Sequence, residues 1–155
     1  MTGQFSTSEA HPDHFGTEVT VGEFAGWRVL PSEPFDNHVG PFFHRPRQGG
    51  AECVFRSDSR HANGLGLLHG GCLLTLADYC LFIGSAYEIG STNIVTISVN
   101  SEFMNAVRTG DLIEGHAEVI KAGASIIFAR GMLRAGTVPI LNFSGSLKRL
   151  RRPVS

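Results

Sequence analysis

The stretch that decides the fold is Asn63-Gly64-Leu65-Gly66-Leu67-Leu68-His69-Gly70-Gly71-Cys72-Leu73-Leu74-Thr75-Leu76-Ala77-Asp78-Tyr79-Cys80-Leu81-Phe82-Ile83. From Gly70 to about Tyr87 it reads as one long helix, apolar on every side. Such a helix is normally buried in a core or a membrane. A membrane span over 64–89 fails on detail: His69, Asp78 and Glu88 interrupt the apolar run, and glycines crowd its start. A core helix is the better reading, and in a core a carboxylate is costly unless it is paired or protonated. Asp78 is therefore the residue that most demands an explanation.

Working outward, the hydrophobic period changes after the helix. Asn93 to Met104 alternates, with Val95, Ile97, Val99 and Phe103 on one side and Thr96, Ser98, Asn100 and Glu102 on the other. Leu112–Lys121, Ser125–Arg134 and Val138–Leu147 are three further strand candidates, separated by Arg108-Thr109-Gly110-Asp111, Lys121-Ala122-Gly123-Ala124 and Ala135-Gly136-Thr137. Short strands joined by tight turns predict an antiparallel meander. One helix buried on all sides needs a sheet that wraps around it, so the expected class is α+β, a curved antiparallel sheet around one long central helix. Before the helix, Ala51–Arg56 is a strand candidate and Phe24–Trp27 could open a short helix. Pro31, Pro34, Pro41 and Pro46 predict loops and an edge segment over 31–50. Residues 1–22 read as a flexible tail and residues 23–155 as a single domain.

The chain has 155 residues, 42% of them apolar and 17% charged, which fits one globular domain. A net charge of −1 provides no basic field for nucleic acid. Cys53, Cys72 and Cys80 are odd in number and lie in or near apolar sequence, so they read as packing residues in a reducing compartment. The N-terminus lacks the charged and apolar segments of a signal peptide, and a cytoplasmic location is expected. His61 and His69 lack the i, i+4 spacing of a helical metal pair, and no metal or other cofactor is expected. Gly64-Leu65-Gly66 precedes a helix, but His69 stands where a dinucleotide loop needs its third glycine. No Gly-x-Ser-x-Gly elbow supports a serine hydrolase.

The start of the helix offers free backbone N–H groups and a partial positive charge, suited to a developing oxyanion. Asp78 lies about 12 Å further along the helix from Gly70, too far to share a bond-making site with that end of its own chain. Two copies of the helix, antiparallel across a two-fold axis, would bring each Asp78 to the partner's Gly70. A homodimer with two equivalent interfacial sites is the expected assembly.

The pattern Asn63-x5-His69-Gly70-Gly71-x6-Asp78 resembles the hotdog-fold acyl-CoA thioesterases of the phenylacetic-acid-degradation type. The resemblance covers roughly residues 40–150 and includes Gly40-Pro41, Val95-Thr96-Ile97-Ser98-Val99-Asn100 and the Gly110-Asp111 turn. It implies that Asp78 acts as general base or as nucleophile toward a thioester carbonyl. It further implies that Asn63 of the opposite subunit holds the water or thioester, that the Gly70 N–H polarises the carbonyl, that His69 supports this loop, and that Thr96 orients the water. A buried Asp78 among apolar walls would have a raised pKa. Substrate contacts are expected from Gly71, Phe82 and Phe103, with Phe42, Phe43 and Leu73 as further pocket candidates. Arg108 and Lys121, with Lys148, Arg149 and Arg151, are the candidates for CoA phosphates. The partners implied are an acyl-CoA substrate and a second copy of the chain, as a homodimer or a homotetramer built from two dimers, with no nucleic acid and no membrane. The rival readings are a non-catalytic acyl-CoA sensing module on the same fold, a dehydratase or hydratase, for which no Asp-x4-His signature follows the helix, and a purely structural dimer.

Overall fold

The computed structural model describes residues 15–151; the first fourteen residues of the stretch read as a tail lie outside the described residues. An eight-stranded antiparallel sheet curves around one long helix. The strands are β1 (Thr17–Glu18), β2 (Arg28–Val29), β3 (Phe43–Arg47), β4 (Gly50–Arg56), β5 (Ile94–Phe103), β6 (Leu112–Ala122), β7 (Ile126–Ala135) and β8 (Val138–Arg149). Their order across the sheet is β1-β2-β3-β4-β6-β7-β8-β5. Helix α1 spans Pro34–Val39 and helix α2 spans Gly70–Ile89. The four strands after the central helix are those read from the sequence, to within two residues at most ends.

Helix α2 has a defined start and stop. His69 is its N-cap, with the ring accepting from the Gly71 N–H, and Gly90 closes it in the left-handed conformation at φ 68°. By length and composition this helix could cross a bilayer; here most of it is buried against the sheet. Leu76, Ala77, Cys80, Leu81 and Ile83 are fully buried against Ile113, Ile127, Leu133, Leu141 and Leu147. Strand glycines let the helix settle that closely. A Cβ on Gly115 would stand 2.8 Å from Cys80 Sγ, and one on Gly145 would stand 2.7 Å from Leu81 Cδ1 and 2.5 Å from the Ser98 carbonyl oxygen.

Three expectations are corrected. Phe24–Trp27 forms turns rather than a helix, because Gly22 and Gly26 sit at φ 83° and 86°. Residues 31–50 are more regular than four prolines suggested. Pro34 occupies the first turn of α1, where a missing N–H costs nothing, and Pro46 lies in β3 beyond the single β2 pairing at Arg28↔His44. Finally, β5 does not alternate evenly. A register shift between Thr96 and Ser98 inserts one extra residue against β8, so Val95 and Ile97 are exposed while Thr96 and Val99 are half-buried. Within the stretch read as a tail, Thr17–Glu18 pairs with Arg28–Val29, and the Arg28 side chain donates to the Phe15 and Gly16 carbonyls.

Candidate active site

The Thr96 hydroxyl donates to Asp78 Oδ1 at 2.7 Å. The bulge in β5 is what aims Thr96 at the middle of α2. Asp78 is half-buried rather than enclosed in the single chain, and its other oxygen, Oδ2, makes no hydrogen bond among the described residues. Both residues open on a cavity of about 720 Å³, whose walls include Asp36, Tyr79, Phe82 and Asn93. Burial pushes the Asp36 carboxyl up to about 6, with Glu33 and Asp78 adding like charge.

A second cavity, of about 260 Å³, holds the other half of the expected constellation: Asn63, Gly70, Leu73 and Phe103. At the start of α2 the Gly71 N–H goes to His69 Nδ1 at 2.9 Å, and the Cys72 and Leu73 N–H groups go to the His69 carbonyl. Among the described residues the Gly70 N–H makes no hydrogen bond. One donor in the first turn is thus available to a ligand, the one at Gly70. A Cβ at Gly70 would meet the exposed Phe103 ring at 3.2 Å, so that ring would have to shift by a few tenths of an ångström. Asn63 uses its Oδ1 to accept from the Leu65 and Leu67 N–H groups, which shapes its loop. Its Nδ2 has no partner among the described residues and remains a possible donor to a ligand.

His69 and Gly71 line a third cavity, about 410 Å³, with Phe35, Arg60, His61 and Cys72. His69 supports the loop through its capping bond and is otherwise exposed. Burial pushes the Cys72 thiol up to about 11, which keeps it protonated at neutral pH. Within one chain, then, Asp78, Thr96 and Phe82 share one cavity, and Asn63, Gly70 and Phe103 share another. Arg108 pairs by its backbone with Leu67, at the edge of the second cavity. Lys121 is exposed near the end of β6 and lines none of the three cavities. Phe42 is a core residue at 1% exposure, not a pocket wall, and Phe43 stacks on Phe24.

Sequence reasoning missed two polar pins. His61 accepts from the Asp58 N–H through Nδ1 and donates from Nε2 to the Val39 carbonyl, while its own carbonyl receives the His69 N–H. It ties α1 to the loop that ends at the helix cap; the signal available was its place three residues after Asp58 in a capping box. His44 is fully buried between Tyr79 and Phe15. Nε2 donates to the Phe15 carbonyl at 3.2 Å, and Nδ1 accepts from the Tyr79 hydroxyl at 2.6 Å. Nothing in the local sequence signals that pairing.

A family model described as the thioesterase superfamily matches residues 65–139. A candidate esterase of Pseudomonas aeruginosa is 34% identical over 119 residues, covering 76% of this chain and 89% of that protein. Mouse acyl-coenzyme A thioesterase 13 is 29% identical over 77 residues, covering 50% of this chain and 55% of that one. The solved structure of the E. coli PaaI protein of the phenylacetic acid degradation operon superposes with a TM-score of 0.68 at 19% identity, covering 80% of this chain and 89% of that one.

Proposed function

Because this chain belongs to the thioesterase superfamily and has its hotdog fold, we propose that it hydrolyses acyl-CoA thioesters to the free acid and CoA, at two equivalent sites in a homodimer. The observation that carries this reading is the Asp78–Thr96 pair in one cavity and the unpartnered Gly70 N–H in another.

The chemistry needs both halves. Asp78 Oδ2 takes a proton from a water whose oxygen attacks the thioester carbonyl; in the nucleophilic alternative Oδ2 itself attacks that carbon, and after CoA has left, water hydrolyses the acyl-aspartyl anhydride to the free acid and restores Asp78. The carbonyl oxygen gains negative charge, which the Gly70 N–H and the helix dipole of the partner chain stabilise. Collapse breaks the C–S bond, and the thiolate of CoA leaves and takes up a proton. Thr96 holds one carboxylate oxygen so that the other points into the cavity. Asn63 of the opposite subunit supplies its Nδ2 to the water or thioester. Neither metal nor redox cofactor enters these steps.

Support for the dimer comes from β5, which ends the sheet and leaves its outer edge unpaired. Val95 and Ile97 on that strand are 43% and 55% exposed. An unpaired edge strand of ten residues that exposes Val95 and Ile97 is a template for a second copy. Pairing there antiparallel would lay the two α2 helices side by side.

The test is thiol release from short, medium, long and aryl acyl-CoAs, with Asp78→Asn alongside. Turnover in the wild type that falls by about 10²-fold or more in the variant fits the assignment. Equal rates in both refute Asp78, and tight binding of a CoA ester without turnover points to the sensing module.

A further inference from the structure

We propose that Asp36 is a proton-accepting positioning residue of this site, taking from Asp78 the proton removed from water and passing it to solvent. This rests on the thioesterase reading above. Asp36 belongs to α1, a short helix packed beside α2, and lines the same cavity as Asp78 and Thr96. The two carboxylates sit in contrasting surroundings. Asp78 receives the Thr96 hydroxyl on one oxygen, which holds that carboxylate in place. The Asp36 side chain receives no hydrogen bond among the described residues, and it is half-buried.

The groups facing Asp36 reinforce the contrast. Glu33, the residue just before α1, also lines the cavity; Asp78 and the Tyr79 phenol face Asp36 from α2. From the segment before β5 and from its start come Ser91, Thr92, Asn93 and Thr96, all neutral, and no Lys, Arg or His lines this cavity. On the α1 side, Arg60 donates to the His38 and Gly40 carbonyls and pairs with Asp58. Three carboxylates thus share one cavity with no cation to offset them. Burial, then Glu33, then Asp78 push Asp36 up to about 6.

A carboxylate of that kind is mostly ionised at neutral pH yet holds a proton more firmly than an ordinary one, which suits an acceptor. Proton balance is simple. Water loses H⁺ to Asp78; Asp78 transfers it to Asp36, directly or through a cavity water; Asp36 releases it to bulk, the departing CoA thiolate takes its proton from bulk solvent, and both carboxylates are ionised for the next turnover.

The experiment compares wild type, Asp36→Asn and Asp36→Glu in acyl-CoA hydrolysis from pH 5 to 9, at several concentrations of imidazole buffer. The expected result is a kcat about tenfold lower in Asp36→Asn with KM little changed, partial recovery as imidazole rises, and near wild-type rates in Asp36→Glu. Circular dichroism melts establish that both variants are folded. A kcat for Asp36→Asn within about twofold of wild type across that range overturns the proposal and leaves the thioesterase reading intact. So does a loss that imidazole never restores in a folded protein. A wild type that hydrolyses no acyl-CoA overturns both.

Discussion

The hydroxyl of Thr96 on β5 donates to Asp78 Oδ1 on α2 across 2.7 Å, joining two residues eighteen positions apart in the chain. The Asp78 side chain makes no other hydrogen bond among the described residues, so Thr96 is the one polar group that holds it. Thr96→Val keeps the shape and removes the donor. A hydrogen bond to a charged group is worth about 1.5–3 kcal/mol, so kcat should fall by roughly 10-fold to 100-fold. Thr96→Ser should keep most of the rate. Steady-state kinetics on the best acyl-CoA decides this, and an unchanged Thr96→Val would remove Thr96 from the site.

His69 caps α2 with its ring, and this leaves Gly70 as the open donor. His69→Ala should cost about 1 kcal/mol, the usual worth of an N-cap. For a chain of this size that lowers the melting temperature by about 2–4 °C. His69→Asn, whose side chain can cap in the same way, should recover most of it. Thermal melts of the three proteins test the point; equal melting temperatures would mean that the capping bond contributes nothing.

His44 ties stability to pH. Burial, its largest cause, pulls the imidazole down to about 4, with Arg28 adding like charge against the opposing bond to Phe15. The unfolded chain takes up this proton near 6.5, before the folded chain does. The contribution of neutral His44 is therefore fully present above about pH 6.5 and is lost as pH falls toward 4, by at most about 3 kcal/mol. Urea unfolding of wild type and His44→Gln should differ most at pH 7 and converge toward pH 4.5. A difference that stays constant over that range would contradict the assignment.

In the proposed dimer the exposed edge of β5 carries the assembly. Ile97→Lys places a charge on a surface that is 55% exposed in one chain and would be covered in the dimer. Size-exclusion chromatography with light scattering should show a shift to monomer, and acyl-CoA hydrolysis should fall in parallel. An active monomer would mean that the two half-sites work without a second copy.

Much was legible in the sequence because it depends on local pattern. The all-apolar run with one carboxylate at Asp78 fixes a buried central helix, the alternations after it fix four strands, and one helix with many strands leaves few ways to bury both. The spacing from His69 to Asp78 also sets the two ends of the candidate site apart along α2, since helical rise is a local constant. What only the tertiary structure decided depends on contacts between distant segments. The bulge at Thr96/Ser98 is set by how β5 pairs with β8, and it turns Thr96 toward Asp78 while leaving Val95 and Ile97 outside. His44 finds Tyr79 only when β3 packs on α2, and Asp36 reaches the wall of the Asp78 cavity only because α1 folds back beside α2. Pairing register and burial are properties of the whole packed chain, and they set which side chains meet and how each holds its proton.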